Sequence, residues 1–502
     1  MTSNAAEATS SSKQKIPTGG RDKTELLHEM AHMGGNDANW KEGRTWSLVY
    51  YVSEEHTRFL KDAHSLYFSE NAVNPMAFQS LKRLESEVVQ MTCGMLKAPA
   101  EGVGTMTSGG TESILLAVKT YRERARKKQP WIRNPEMVVP STIHPAFHKA
   151  AHLFGLKVRI AQVGKDQRVT AAAMKKKVNR NTVMVAASAP QYAHGVIDPI
   201  ADIGAMAQKR NIPLHVDGCF GGFMLPWIEK LGYDVPLWDF RVPGVTSISA
   251  DLHKYGYAAK GASVITYRSM DYLKHQFFVE IDFPGGIYIS PSLPGTRAGG
   301  PIAAAWASLM AMGEDGYLEK AKEAMEVADT LKKGIGEIDG IEVVGKPSAT
   351  VVAYQSYDKS VDLYAVADIL TEKKWGVDRQ QNPASIHCTC NANNAAIVEE
   401  YLADLKEAVH HVKAHPELRT QGEAAIYGLM SKVPLRGVVE STVRKVMESM
   451  YSASGESVDL GDLEGSSDDP VMEFMGKYGD VALNALDKMH DAKDKIGSFL
   501  GR

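Results

Sequence analysis

The chain has little of what would tie it to an extracellular, membrane or nucleic-acid setting. Of its 502 residues only four are cysteines, Cys93, Cys219, Cys388 and Cys390. That is too few for a disulfide framework, and Cys388-Thr389-Cys390 has the spacing of neither a metal-ligand pair nor a redox motif. A reducing, cytoplasmic setting is therefore expected. No stretch approaches the roughly 18 consecutive apolar residues that a membrane-crossing helix needs, and the run around Thr182 to Pro190 is far too short. The opening MTSNAAEATSSSKQKIPTGG lacks the apolar core of a signal peptide and reads as an unstructured leader. Excess charge of either sign is missing as well, since 57 Lys and Arg face 60 Asp and Glu. This argues against nucleic acid as a partner and for a small molecule.

A chain of this length divides into about two or three packed units. A leader and N-terminal segment is expected over residues 1–77, with residues 1 to about 25 lacking structure. A large unit follows over 78–325, a smaller α/β unit over 326–455, and a linker with an amphipathic helical tail over 456–502. Phe78, Leu81, Leu84, Val88 and Met95 recur at helical spacing. A second helix begins near Thr111 and carries Ile114, Leu115, Val118 and Tyr121 on one side. Between about 136 and 267, short β-rich runs alternate with helical stretches, at residues 137–139, 158–163, 182–187, 214–217, 247–250 and 263–267. That alternation predicts an α/β fold with a mostly parallel sheet covered by helices on both faces. In such sheets the ligand sits at the carboxyl ends of the strands. The smaller unit is expected to hold strands at 341–344 and 350–354 and a helix over 395–411, and the tail a helix from about Val471 to Leu500.

The chemistry gathers at those strand ends. The run LHVD ends at Asp217, and the run SISAD is followed by His253 and Lys254, so an acid and a lysine share one edge of the sheet. Pyridoxal 5'-phosphate needs that pair: a lysine to hold it as an imine, and a carboxylate to keep its pyridine nitrogen protonated so that the ring accepts electrons. Lys254 and Asp217 take those roles. The segment Thr107-Ser108-Gly109-Gly110-Thr111-Glu112 opens a helix, where small residues and free backbone N–H groups suit a phosphate. Alone it reads equally well as a capping box with a glycine turn; beside Lys254 and Asp217 the phosphate cup is the better reading. His253 then becomes a phosphate ligand rather than a base. His144 lies between a strand and a helix, so its ring either stacks on the cofactor or makes one local hydrogen bond at a helix start.

The segments TSGGTES, HVDGCFGG, SISADLHKYGYAAKG and GGIYISPSLPGTRAGG resemble the lyases of phosphorylated sphingoid bases within the group II pyridoxal-dependent decarboxylase family. The resemblance runs from about Trp40 to about Ser452. It implies the aspartate aminotransferase type of fold, a homodimer with active sites at the subunit boundary, and cleavage of a phosphorylated lipid amine to a long-chain aldehyde and phosphoethanolamine. The related amino-acid decarboxylases stand as the alternative. Position by position, it implies the same roles for Lys254, Asp217 and His144, and puts Gly110, Thr111 and His253 at the cofactor phosphate. It adds Gly295 and Thr296 reaching in from the other subunit, and Tyr50, Tyr192 and Lys260 at the substrate. One departure lies in NPMA, where Ala77 stands in place of the histidine of the pattern NPLH; alanine neither shuttles protons nor carries charge. The second departure from the pattern of the eukaryotic lyases is that no membrane anchor is expected ahead of the catalytic region.

Overall fold

The computed structural model describes residues 16–451 apart from 423, 425–426 and 429–435. Most of the expected leader and the expected tail helix from Val471 to Leu500 lie outside the described residues. Helix α1 (Lys23–Met33) starts inside the stretch expected to lack structure, because the Asp22 carboxylate accepts hydrogen bonds from the N–H groups of Thr24 and Glu25 and so caps it. Helix α2 (Glu54–Ser65) follows, capped by Ser53.

The large sheet is built from β1 (Val103–Thr107), β2 (Glu136–Pro140), β3 (Lys157–Ala161), β4 (Thr182–Ser188), β5 (Leu214–Asp217), β6 (Val245–Ala250) and β7 (Ser263–Tyr267), in the order β1-β7-β6-β5-β4-β2-β3. β7 runs antiparallel to both of its neighbours, and the other pairings are parallel. β1 therefore points the same way as β6. Strands β2, β4, β5, β6 and β7 are buried at every residue, as strands covered on both faces must be. Helix α3 (Gln79–Met95) buries Leu81, Val88 and Cys93, and α4 (Gly110–Lys128) buries Ile114, Leu115, Val118 and Tyr121. The fold is of the α/β class with a mostly parallel sheet.

A two-stranded ribbon, β8 (Phe278–Glu280) with β9 (Tyr288–Ser290), separates this sheet from a smaller antiparallel one. The latter comprises β10 (Ile341–Val343), β11 (Val351–Ser356), β12 (Asp378–Gln380) and β13 (Ser385–Thr389), in the order β10-β11-β13-β12. Helix Val398–Ala414 begins three residues later than expected. The long helix Gly299–Gly336 crosses the expected limit at 325 and kinks at Gly313, whose φ of 57° glycine adopts without strain. Its Val327, Leu331 and Ile335 pack in the second core with Trp46 from the N-terminal segment. Thr45 bridges Gly376, and the N–H of Thr389 donates to the Trp46 carbonyl at 2.6 Å. The chain near residue 45 thus belongs to the smaller unit by packing and returns to the larger one at Tyr50.

Candidate active site

Because β1, β2, β4, β5 and β6 share a direction, their carboxyl ends deliver five segments to one edge: Ser108–Thr111, His144, Tyr192, Asp217 and Asp251–Lys254. These segments line a cavity of about 370 Å³ with Ser108, Gly109, Gly110, Thr111, His144, Tyr192, Asp217, His253 and Lys254 in its wall.

At the start of α4 the N-cap is Gly109 and no side chain caps the helix, so the sequence's capping-box reading does not hold. Glu112 Oε2 accepts from the backbone N–H and the hydroxyl of Ser108 at 2.7 and 2.8 Å, tying the loop ahead of the helix to its first turn. The first-turn N–H groups beyond it have no intrahelical acceptor and point to where an anion would sit. Glycine is required at 110: a Cβ there would lie 2.7 Å from both Asp251 Oδ2 and Cys219 Sγ. His253 closes the cup from the side, its Nδ1 accepting from the Ala262 N–H at 3.3 Å.

Lys254 Nζ lies 3.0 Å from Asp251 Oδ2 and 3.9 Å from the centroid of the Phe220 ring. Burial works to lower the lysine, but the charge of Asp251, with Cys219 and Tyr50, carries it above its ordinary value. Burial likewise works to raise Asp251, while Lys254 and His253 hold it below the usual carboxylate range. The pair is therefore an ammonium and a carboxylate before cofactor arrives. Asp217, 6% exposed, accepts from the Cys219 N–H at 3.1 Å and lines the cavity at the sheet edge. His144 Nδ1 accepts from the Ala146 N–H at 3.2 Å, so the local hydrogen bond exists and fixes the ring, which meets Tyr192 edge-on at 6.1 Å.

Tyr50 and Lys260 stand beside this cavity. The Tyr50 ring packs edge-on against Tyr255 at 4.9 Å, and Lys260 Nζ lies 5.4 Å from its centroid. Lys260 donates to the Leu48 carbonyl at 2.6 Å. Its amine is lowered to about 8, first by burial and then by the charge of Lys254. Gly295 and Thr296 are exposed and do not line the cavity of their own chain; Thr296 Oγ1 accepts from Asn71 Nδ2 at 3.5 Å. Ala77 is also exposed, its N–H donating to Asn74 Oδ1 at 3.2 Å.

The residues present fit pyridoxal phosphate. The glycine cradle at 110, the cationic amine over Phe220 and the buried carboxylate of Asp217 supply, in one cleft of ligand size, an anion cup, a covalent anchor and a carboxylate for a ring nitrogen. Three neighbours escaped the motif reading. Asp251 stood three residues before the lysine, within SISAD, which was a usable signal. Phe220 lies in the run HVDGCFGG, whose likeness to the family pattern assigns it no role. His387, whose ring stacks on Tyr192 with centroids 4.5 Å apart, comes from β13, a strand with no sequence signal of its own.

A family model described as the pyridoxal-dependent decarboxylase conserved domain matches residues 59–357. The chain is 43% identical over 435 residues to a sphingosine-1-phosphate lyase of Arabidopsis thaliana, covering 85% of this chain and 79% of that one. It is 42% identical over 441 residues to sphingosine-1-phosphate lyase 1 of Rattus norvegicus, covering 87% and 77%. Among solved structures, a sphingosine-1-phosphate lyase of Burkholderia pseudomallei matches with a TM-score of 0.77 at 38% identity, covering 84% of this chain and 98% of that one. A glutamate decarboxylase of Lactobacillus brevis matches at 0.70 with 21% identity, covering 80% and 95%, a likeness of fold alone.

Proposed function

The chain belongs to the pyridoxal-dependent decarboxylase family and, within it, to the sphingosine-1-phosphate lyases, and from that premise we propose that it cleaves a phosphorylated sphingoid base to a long-chain aldehyde and phosphoethanolamine. The observation that carries this reading is the convergence of an anion cup, a lysine and a buried aspartate at one sheet edge, with a second cation, Lys260, beside it. When bound, pyridoxal phosphate supplies an electron-accepting ring that takes up the pair released as a bond to the amine-bearing carbon breaks.

In this reading the chain's own residues divide the work. Ser108, Gly109, Gly110, Thr111 and His253 would hold the cofactor phosphate, Lys254 its aldehyde carbon, Asp217 its ring nitrogen and His144 its ring face. Lys260 would hold the substrate phosphate as a charge-assisted partner, and Tyr50 and Tyr192 would face the C3 hydroxyl. Loss of that hydroxyl proton lets the C2–C3 bond break with the C3 oxygen becoming the aldehyde. Supplied with sphingosine 1-phosphate, the protein is expected to release a long-chain aldehyde and phosphoethanolamine, followed by mass spectrometry. Offered a panel of amino acids, it is expected to release little carbon dioxide. Robust decarboxylation of one amino acid, with no aldehyde from the lipid, would overturn the lyase reading.

The working unit in this reading is a homodimer, in which Gly295 and Thr296 complete the partner's cofactor site. Supporting this, the neighbouring ribbon leaves Phe278, Ile281, Phe283, Ile287 and Ile289 between 52% and 75% exposed, and large apolar side chains grouped in this way suit a protein–protein contact. Light scattering is expected to give at least twice the 54.8 kDa chain mass; a fully active monomer would contradict it. Among the described residues no helix is long and apolar enough to cross a membrane. The compartment in this reading is the cytoplasm, with the lipid taken from a membrane surface.

A further inference from the structure

The turn that carries Gly295 and Thr296 is tied at both ends to the phosphate cup of its own chain. At its start the Leu293 N–H donates to Glu112 Oε1 at 3.1 Å, while the other oxygen of that carboxylate, Oε2, accepts from the N–H and the hydroxyl of Ser108. Glu112 is buried and stands in the wall of the cofactor cavity. At the end of the turn the Arg297 guanidinium pairs with the Glu85 carboxylate, Nη1 with Oε2 at 3.1 Å and Nη2 with Oε1. Glu85 Oε1 also accepts from the Met106 N–H at 3.0 Å, and Arg297 Nη2 donates to the Met106 carbonyl at 3.3 Å. Met106 belongs to β1, two residues ahead of Ser108. The Arg297 N–H donates to Asn71 Oδ1 at 3.0 Å, and the Arg297 carbonyl accepts from the Ala72 N–H at 2.8 Å.

We propose that Glu112 is a positioning residue acting across the subunit boundary, its carboxylate holding the turn through which Gly295 and Thr296 of this chain complete the cofactor site of the partner. This role rests on the homodimer reading above. Oε2 fixes the carboxylate on this chain's own cup, Oε1 passes that position to Leu293, and Gly295 and Thr296 follow within three residues. The Arg297–Glu85 pair fixes the far end of the same turn on β1. Both anchor points therefore lie on one chain, while the cofactor that the turn serves lies on the other.

Charge and hydrogen bonding set Glu112 apart from an ordinary first-turn acid. An acid there suits the helix dipole, but it also puts negative charge in the wall of a cavity that takes a phosphate, which works against binding. Holding three donors at once offsets that repulsion, and it takes a carboxylate to do so. Glutamine has the same shape but one acceptor oxygen, and its amide NH2 only donates. With the amide oxygen on the two Ser108 donors, the NH2 faces the Leu293 N–H, donor against donor. Glu112→Gln therefore keeps the tie to the cup of its own chain and breaks the tie to the turn. The turn has little else to steady it. Gly295 is exposed, and a Cβ placed on it would meet only Tyr288 Oη, at 3.9 Å, so its hydrogen-bonded ends rather than packing hold its position.

The test uses hybrid dimers of two full-length chains, isolated by different affinity tags, in which one chain carries Lys254→Ala. Covalent attachment then reports only the site of the chain that keeps Lys254, and the turn serving that site comes from the Lys254→Ala chain. Pyridoxal phosphate is titrated in, and attachment is read by imine absorbance and by borohydride trapping. Glu112→Gln on the Lys254→Ala chain is expected to raise the apparent dissociation constant by about 10-fold, the loss of roughly one hydrogen bond to a charged group, and on the chain that keeps Lys254 by less than about threefold. Glu112→Ala on the Lys254→Ala chain is expected to raise it at least as much. Thr296→Asp on that same chain places a negative charge toward the cofactor phosphate and checks the dimer geometry itself. If Thr296→Asp weakens attachment while neither Glu112 variant does so from across the boundary, the role of Glu112 is overturned and the dimer reading stands. A Glu112→Gln effect that is equal on the two chains, or confined to the chain that keeps Lys254, overturns it as well. Unchanged attachment with Thr296→Asp overturns the dimer reading and the role of Glu112 with it.

Discussion

Lys254→Ala is expected to abolish covalent attachment of pyridoxal phosphate and to lower turnover by at least about 1,000-fold, within the range that a positioned proton-transfer group commands even before covalent anchoring is counted. The size of the effect follows from the absence of a substitute at that point of the wall. The other amine nearby, Lys260, is tied to the Leu48 carbonyl at 2.6 Å and to the His253 carbonyl at 3.3 Å, and does not line the cavity that holds Lys254. Being lowered to about 8, Lys260 is the more readily neutral of the two, so reactivity alone does not decide between them; position does. Borohydride reduction followed by peptide mass mapping is expected to put the adduct on Lys254 and on no other residue. An adduct on Lys260, or a variant that keeps most of its activity, refutes the assignment. The same substitution leaves Asp251, 2% exposed, without its ammonium partner, and the imidazole that remains, that of His253 with Nε2 at 3.7 Å, is held below its ordinary value by burial. Some loss of stability is therefore expected alongside the loss of chemistry, and cofactor attachment, rather than activity alone, is the deciding readout.

How much of this was legible in the sequence follows the way parallel α/β units are built. Each buried strand is a short run, and the residues at its carboxyl end or just past it are delivered to the ligand edge, so Asp217, His253 and Lys254 could be placed by reading where LHVD and SISAD stop. β1 was not legible. Its five residues VGTMT carry no apolar alternation and run straight into the glycines of the cup, yet β1 is what brings the cup to the same edge. The reversed direction of β7 was equally hidden, because a run buried on both faces has the same pattern whichever way it points. β13 reads SIHCT, a run with three polar side chains, and is buried throughout. Its polarity is accommodated by pairs such as His387 with Thr389, which only tertiary structure reveals. Tyr50, Tyr192 and Lys260 sit on loops without periodicity, and Gly295 and Thr296 on an exposed turn, so those five rested on resemblance alone.

Asp217→Asn separates a chemical role from a structural one, and is expected to leave cofactor attached while slowing turnover strongly. The asparagine side chain has nearly the same shape, and its carbonyl oxygen still accepts from the Cys219 N–H that Asp217 Oδ1 now holds at 3.1 Å, so the end of β5 keeps its turn. Its parallel pairing to β4 and β6 involves backbone only and is untouched. What changes is charge. A carboxylate facing a protonated pyridine nitrogen makes a charge-assisted hydrogen bond, while a neutral amide favours that proton far less. Hydrogen bonds to charged groups are worth about 1.5–3 kcal/mol, which corresponds to a fall in kcat of roughly 10- to 150-fold if the whole difference is felt as the carbon–carbon bond breaks. The Lys254 linkage lies on β6's extension rather than on β5, so absorbance of bound cofactor and its trapping by borohydride are expected to persist. An unchanged kcat would show that Asp217 only supports the turn at Cys219; loss of bound cofactor together with a lowered melting temperature would show that its main contribution is to the fold.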